Sequence, residues 1–227
     1  SIMEETCGAR LTMNYNVPGG VMADIHPTFQ QSVKDFVRHF RSKIDEYDEL
    51  VTGNIIFQSR LKGVGKLSKE DAISYGCTGP TARASGVSCD VRKHFPYEIY
   101  NQIDFKEITH TAGDSYARYL MRLAEMRESM NIIEQLIDNI PEGDYLAKTK
   151  AVLKLPKGEF YSRVETPRGE LGVYIVSEGG TTPYRIKFRS PGFSNLSALD
   201  HMTRGHKIGD LVAIMGTLDL VIPDIDR

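Results

Sequence analysis

Asp114-Ser-Tyr-Ala-Arg-Tyr-Leu-Met-Arg-Leu-Ala-Glu-Met-Arg-Glu-Ser-Met-Asn-Ile-Ile-Glu-Gln-Leu-Ile-Asp-Asn-Ile-Pro141 is the stretch on which the fold turns. Tyr116, Leu120, Leu123, Met130, Ile133 and Ile137 keep helical spacing from an Asp114-Ser115 start to a Pro141-Glu-Gly143 stop. The other face carries Arg118, Arg122, Glu125, Arg127 and Glu128. After Gly143 the period changes. Phe160–Val164, Leu171–Val176 and Tyr184–Phe188 are short β-rich runs, with Glu178–Thr181 as a turn between the last two, which predicts an antiparallel meander. Upstream, Phe29, Val33, Phe36, Val37, Phe40 and Ile44 predict a second amphipathic helix, expected to break near Asp45–Asp48 before a further helical stretch to Arg60. Ser68-Lys-Glu-Asp71 matches a capping box for a short helix ending at Gly76. Gly76–Tyr97, punctuated by Gly76, Gly79, Pro80 and Gly86, is expected to be a fixed loop. Short helices at about Leu196–Thr203 and His206–Ile214 precede a last apolar piece, Leu218–Ile222. The expected architecture is one α+β domain over 1–227: a helical bundle over 1–142, in which Thr28–Glu46 and Asp114–Ile140 pack through Phe29, Val33, Phe36, Leu120, Leu123 and Met130, then a small antiparallel sheet, Glu159–Arg189, set against one end of that pair, and short helices, over 143–227.

The composition excludes several function classes. In 227 residues, 28 Lys and Arg stand against 30 Asp and Glu, a net charge of −2 that gives a phosphate backbone nothing to bind, so no nucleic acid is expected as partner. No run approaches the ~20 apolar residues that span a bilayer. Cys7, Cys77 and Cys89 form no CxxC, and an odd count without a secretory signal argues for a reducing compartment. The six histidines fall in no recognised ligand spacing, so no metal site is expected on this chain. Dinucleotide, triphosphate and serine-hydrolase motifs are absent from the sequence.

Two segments hold the candidate site residues. One is the Gly-Pro loop with Arg83, Asp90, Arg92 and Lys93; the other runs from Gly8-Ala-Arg10 through Pro18-Gly-Gly20 to Asp24. Glycines admit close approach of a backbone, and Arg with Asp either fixes such a loop through buried ion pairs or contacts an anion. Composition and spacing alone yield no reaction. Ile2 and Met3 enter a helical segment with no cap signal before them, so Ser1 is expected to lie inside a longer helix, its upstream part missing.

Gly8-Ala-Arg10, Pro18-Gly-Gly-Val21, Gly76-Cys-Thr-Gly-Pro80, Arg83-Ala-Ser-Gly86, Asp90-Val-Arg-Lys93 and Tyr97-Glu-Ile-Tyr100 form an ordered series. Gly113–Tyr119, Glu125–Ser129, Glu165-Thr-Pro-Arg-Gly-Glu-Leu-Gly172, Pro183-Tyr-Arg185, Pro191-Gly-Phe193 and the terminal Asp-Ile-Asp-Arg227 continue it. Together they resemble the quinone-proximal large peripheral-arm subunit of respiratory NADH:quinone oxidoreductase, complex I. The match covers essentially the whole chain and corresponds to the C-terminal part of that protein, slightly more than half.

The resemblance implies a hydrogenase large subunit-like fold, shared with the nickel–iron hydrogenases. Where those enzymes carry a terminal Asp-Pro-Cys-x-x-Cys, this chain has Asp219–Asp224, with Val221 and Asp224 at the thiolate positions, so the metal half-site is lost. The resemblance further implies a quinone substrate bound between this chain and an iron–sulfur partner. NADH and the iron–sulfur clusters belong to partner subunits, and the chain sits peripherally on a membrane arm, at the cytoplasmic face of the cell membrane or the matrix face of the mitochondrial inner membrane. The His and Tyr that bind the quinone headgroup in this family have no matching position here. Asp24 matches the acid that supports that His and Val221 would line the cavity, while Arg10, Arg83, Asp90 and Arg92 are, on the reading of the residues themselves, candidates for fixing loops or contacting a neighbour. Asp24-Ile25-His26-Pro27 is equally a helix-entry turn, so capping stays an alternative for Asp24. The isolated chain is expected to be colourless, to bind no cluster or nickel, and to lack quinone reductase activity. The Gly-Pro loop is also similar to that of ferredoxin-, deazaflavin- and plastoquinone-linked relatives, so the alternative reading is a non-catalytic structural or assembly module of a related ferredoxin-, deazaflavin- or hydrogenase-type complex.

Overall fold

The computed structural model describes residues 1–150 and 152–226. Arg227, which closes the terminal motif quoted above, lies outside the described residues. Helix α1 (Ile2–Cys7) opens on Ser1, whose Oγ accepts the Glu4 N–H at 3.4 Å while the Glu4 carboxylate takes the Ser1 amino group at 3.3 Å. The Ser1 hydroxyl is thus a cap before Ile2 and Met3, where none is expected. A ribbon of β1 (Asn16–Val17) and β2 (Gly20–Val21) turns on Pro18-Gly19. Its glycines let a second backbone close in: Val21 donates to the Tyr145 carbonyl and Ala147 to the Gly19 carbonyl, each at 3.0 Å.

Helix α2 (Phe29–Tyr47) follows the predicted apolar stripe. The α-helix ends at Tyr47, inside the stretch Asp45–Asp48 where a break is expected, but the chain stays helical through a π-helical turn (Asp48–Thr52) and stops only at Gly53-Asn54, where Asn54 caps α3 (Ile55–Leu61). The acids that look like a stop signal are held from outside, since Arg127 pairs with Asp45 and Asp48, and Thr52 Oγ1 donates to Asp48 Oδ1 at 2.8 Å. Ser68 caps α4 (Lys69–Ser74) by accepting the Asp71 N–H at 3.0 Å, as its motif predicts. The loop expected over Gly76–Tyr97 contains two short helices, α5 (Gly79–Arg83) and α6 (Val91–His94). Pro80 suits the first turn of α5, and the Asp90 carboxylate caps α6 by accepting the Arg92 N–H at 3.0 Å.

Helix α7 (Ser115–Leu136), capped by Asp114, is the axis of the molecule. Its Leu123 and Met130 pack with Val37 and Ile44 of α2, its Ala117 and Met121 with Ala84 beside α5, and its Ile132 with Ile103 and Phe105. Phe36, expected in the α2–α7 core, is instead exposed and stacks on Phe40 at 5.3 Å; Leu120 is only partly buried. Because neighbours surround α7, the face carrying Arg118 and Arg122 turns inward, and Arg118 is fully buried.

The predicted meander is present as β3 (Gly158–Thr166), β4 (Gly169–Ser177) and β5 (Arg185–Arg189), paired antiparallel in chain order. It rests on α5, α6 and α8 (Pro191–Ser197) rather than on the end of the α2–α7 pair. Helices α9 (Leu199–Thr203) and α10 (Ile208–Leu218) bring Met202, Ile214 and Leu218 into a core with Leu67, Ala72, Cys77 and Ala82. The second C-terminal helix thus starts later than expected and runs four residues past Ile214, reaching the first residue of the predicted apolar piece. A last turn, α11 (Ile222–Ile225), follows Asp219, a left-handed residue with φ 56°.

Candidate functional site

The site begins with a contact only glycine permits. Gly79, at φ +66° where α5 opens, faces Gly169, the first residue of β4 after the turn from β3; a Cβ on Gly79 would lie 2.5 Å from the Arg168 carbonyl and from Gly169 Cα. Thr78 Oγ1 seals the junction by accepting the Glu170 N–H at 3.1 Å and an Arg189 guanidinium N–H at 2.9 Å. The sheet is thereby seated on α5 so that Arg83, at the end of that helix, meets Glu165 of β3.

Arg83 is 1% exposed and bridges two carboxylates. Its Nε and Nη2 donate to Glu125 Oε1 at 2.9 and 2.6 Å, and its Nη1 donates to Glu165 Oε1 at 2.8 Å. The second Glu165 oxygen accepts the Val91 N–H at 3.1 Å. Burial alone would weaken the Arg83 cation, but the two carboxylates outweigh it and hold its pKa above the ordinary value. Glu165 is raised, first by burial, because it has only a share of that one cation to offset the loss of water. Beside them Asp90 and Arg92 pair at 2.7 Å, the aspartate held low by Arg92 against its burial. These pairs frame a cleft of about 420 Å³, lined also by Tyr100, Arg122, Met126, Ser129, Met130 and Asp219.

Of the residues singled out in the sequence, Arg83, Asp90 and Arg92 come together here, as ion pairs tying loops to helices. The buried partner of Arg83, however, is glutamate from α7 and β3 rather than the aspartate of its own loop. Arg10 lies apart on the surface, paired with Glu4 at 2.9 Å. Asp24 is exposed in the loop between the β1–β2 ribbon and α2; its Oδ1 accepts the Ile25 N–H at 2.8 Å. It lines a cleft of about 310 Å³ with Ile25, Gln30 and the segment after α7, Ile140–Gly143. The residue before α2 is Thr28, whose side chain makes no capping hydrogen bond. Val221, half-buried, is the cap position of α11, its carbonyl accepting the Asp224 N–H at 3.0 Å. Asp24 and Val221 therefore occupy different surroundings in this chain. Glu125, Glu165, Arg122 and Asp219 were not singled out as site residues. A signal for two of them exists, since Arg118, Arg122 and Glu125 stand at i, i+4 and i+7 and so share one face of α7. Among the described residues no group of three or more His, Cys, Asp or Glu is placed to hold a metal ion.

A helical body around one central helix, with a small antiparallel sheet clipped to it by a glycine contact and buried ion pairs, is the α+β architecture of the hydrogenase large subunits. Residues 1–154 and 147–227 match the family described as respiratory-chain NADH dehydrogenase, 49 Kd subunit. The chain is 58% identical over its whole length to the C/D subunit of NADH-quinone oxidoreductase from Bacteroides thetaiotaomicron, covering 43% of that protein. It is 45% identical to the D subunit of the same enzyme from Bacillus cytotoxicus, covering 62%. A solved chain from the membrane-bound sulfane sulfur reductase, an archaeal respiratory membrane complex, superposes with a TM-score of 0.93 at 37% identity, over 100% of this chain and 63% of that one. The chain belongs to the 49 Kd subunit family of the respiratory-chain NADH dehydrogenases. It spans between 43% and 62% of the length of these two curated relatives.

Proposed function

We propose that this chain acts as the C-terminal part of the quinone-proximal large subunit in a membrane-associated NADH:quinone oxidoreductase. There it supplies part of the quinone-site wall and of the interface with an iron–sulfur partner, in electron transfer to quinone coupled to proton translocation. The observation that carries the reading is the state of Asp24. Its carboxylate is exposed, spends one oxygen on the next N–H and caps no helix, while the ribbon before it is pinned to Tyr145 and Ala147. A carboxylate held in this way is suited to accept the N–H of an imidazole brought by another segment, fixing one tautomer and raising its basicity. Val221, in its extended approach to α11, supplies apolar wall. No helix among the described residues is long and apolar enough to cross a membrane, which agrees with a peripheral position held through neighbouring subunits and the membrane arm.

The test is Asp24→Asn in the full-length protein assembled with its partners. The substitution keeps shape and removes charge, and the expected result is a fall in quinone reduction by part of the ~10²- to 10⁴-fold typical of general acid assistance, with assembly intact. Wild-type turnover in an assembled variant would reject the role. A second reading draws on the likeness to a chain of the sulfane sulfur reductase complex: the same architecture then serves as a non-catalytic module of a complex with another donor, such as ferredoxin or a deazaflavin. Membranes containing the native complex separate the two, since NADH-driven quinone reduction supports the first and its absence beside ferredoxin-driven reduction supports the second.

A further inference from the structure

Arg122 stands out in the ion-pair cluster. Its Nη1 donates to the Arg118 carbonyl at 3.0 Å, while its Nη2 is closed to solvent and has no partner among the described residues. Each nearby anion is already engaged: Glu125 and Glu165 by Arg83, Asp90 by Arg92, and Asp219 by Arg168 at 3.3 Å. Arg118 is satisfied by oxygens that carry no charge, the Gly65 and Gly113 carbonyls and the Ser115 and Thr217 hydroxyls. Asp114, the acid beside Arg118, spends its oxygens on the Gly63 and Ala117 N–H groups, so among the described residues the guanidinium nitrogen left without an acceptor in this cluster is Arg122 Nη2. A buried charge in this position is costly unless a counter-charge reaches it.

We propose that the 420 Å³ cleft takes up a single carboxylate as the acceptor for Arg122, brought by a small monocarboxylate or by an acidic side chain of a neighbouring subunit. One carboxylate matches the one guanidinium nitrogen left without an acceptor. A dianion such as phosphate is disfavoured by Glu125, Glu165 and Asp219 in the walls. Met126, Met130 and Pro167 offer a hydrocarbon body a dry surface, and Ser129, seven residues along α7 from Arg122 and so on the same face, adds a hydroxyl donor. Since Nη2 is closed to water as the side chain lies, uptake requires the guanidinium to turn outward into the cleft. This inference is independent of the role proposed for Asp24.

The purified chain is melted in sodium benzoate, sodium acetate and sodium chloride at equal ionic strength. Carboxylate at ten times its Kd is expected to raise Tm by about 3 to 6 °C over chloride. Arg122→Met, which keeps the bulk and removes the charge, is expected to lose that rise and to melt in chloride no lower than the parent. Should Arg122→Met fail to fold, arginine-selective ¹⁵N labelling decides, by a shift of the Arg122 side-chain N–H signals on adding benzoate. A response that disappears when the full-length protein is assembled with its neighbours identifies an acidic side chain as the natural source; one that persists identifies a free monocarboxylate. No carboxylate-specific response in the free chain, or an equal response in Arg122→Met, overturns the proposal.

Discussion

Glu107 collects donors from four residues: Ser88 Oγ at 2.7 Å, the N–H groups of Cys89 and Asp90 at 2.7 and 2.9 Å, and the His94 ring at 3.1 Å. Burial opposes its charge, yet these hydrogen bonds prevail and hold its pKa below the ordinary glutamate value. A depressed folded value stabilises the native state fully above the unfolded value, and that contribution is lost as pH falls through the folded one. Glu107→Gln is therefore expected to lower the urea midpoint at pH 7 and to flatten its decline from about pH 5 to pH 3. A parallel decline in both proteins would show that Glu107 does not titrate in that window. Glu165 has the opposite sign. Its folded value is raised, so its contribution is complete below the ordinary value and fades as pH rises through the folded one. The pairings legible in the sequence are those between residues near in the chain, such as Asp90 with Arg92. Arg83 finds its carboxylates 42 and 82 residues away, and no local pattern reports such pairs.

At the scale of elements, spacing located α2, α4, α7 and the meander because each has one apolar and one polar face or a cap that reads locally. It missed α5 and α6, which have five and four residues in a stretch rich in glycine and proline and form because neighbours hold them. It also read a full break at Asp45–Asp48, where Arg127 of α7 neutralises the acids and the chain stays helical as far as Thr52. The seating of α5 on the β3–β4 turn yields a paired prediction. Gly79→Ala meets backbone at 2.5 Å in a left-handed conformation and is expected to cost about 1 to 3 kcal/mol or more. Gly63→Ala, at φ +73° with open space around it, is expected to cost only the ~1 to 2 kcal/mol of the conformation. Equal urea midpoints for the two variants would mean that the α5–sheet contact is loose. Leu123→Ala, in the α2–α7 core at 5% exposure, is expected to cost ~2 to 5 kcal/mol by the same measurement.

For the whole molecule, the sheet is joined to the helical body by Gly79 against Gly169, by Arg83 with Glu165, and by Thr78 with Glu170 and Arg189. We expect calorimetry to show one cooperative transition; two resolved peaks would mean that the meander melts as a separate unit. Arg118 lies at the centre of that body, its guanidinium shared among the loop at Gly65, the turn at Gly113, the start of α7 at Ser115 and α10 at Thr217. Burial pushes its pKa down to about 10, still far enough above neutrality to keep it a cation. The consequence concerns time. Protons on that guanidinium are expected to trade with solvent deuterium only when the loop at Gly65 and α10 draw away from α7 and its start, so the Arg118 side-chain signal in heavy water should decay at the rate of global opening and serve as a clock for the life of the folded state.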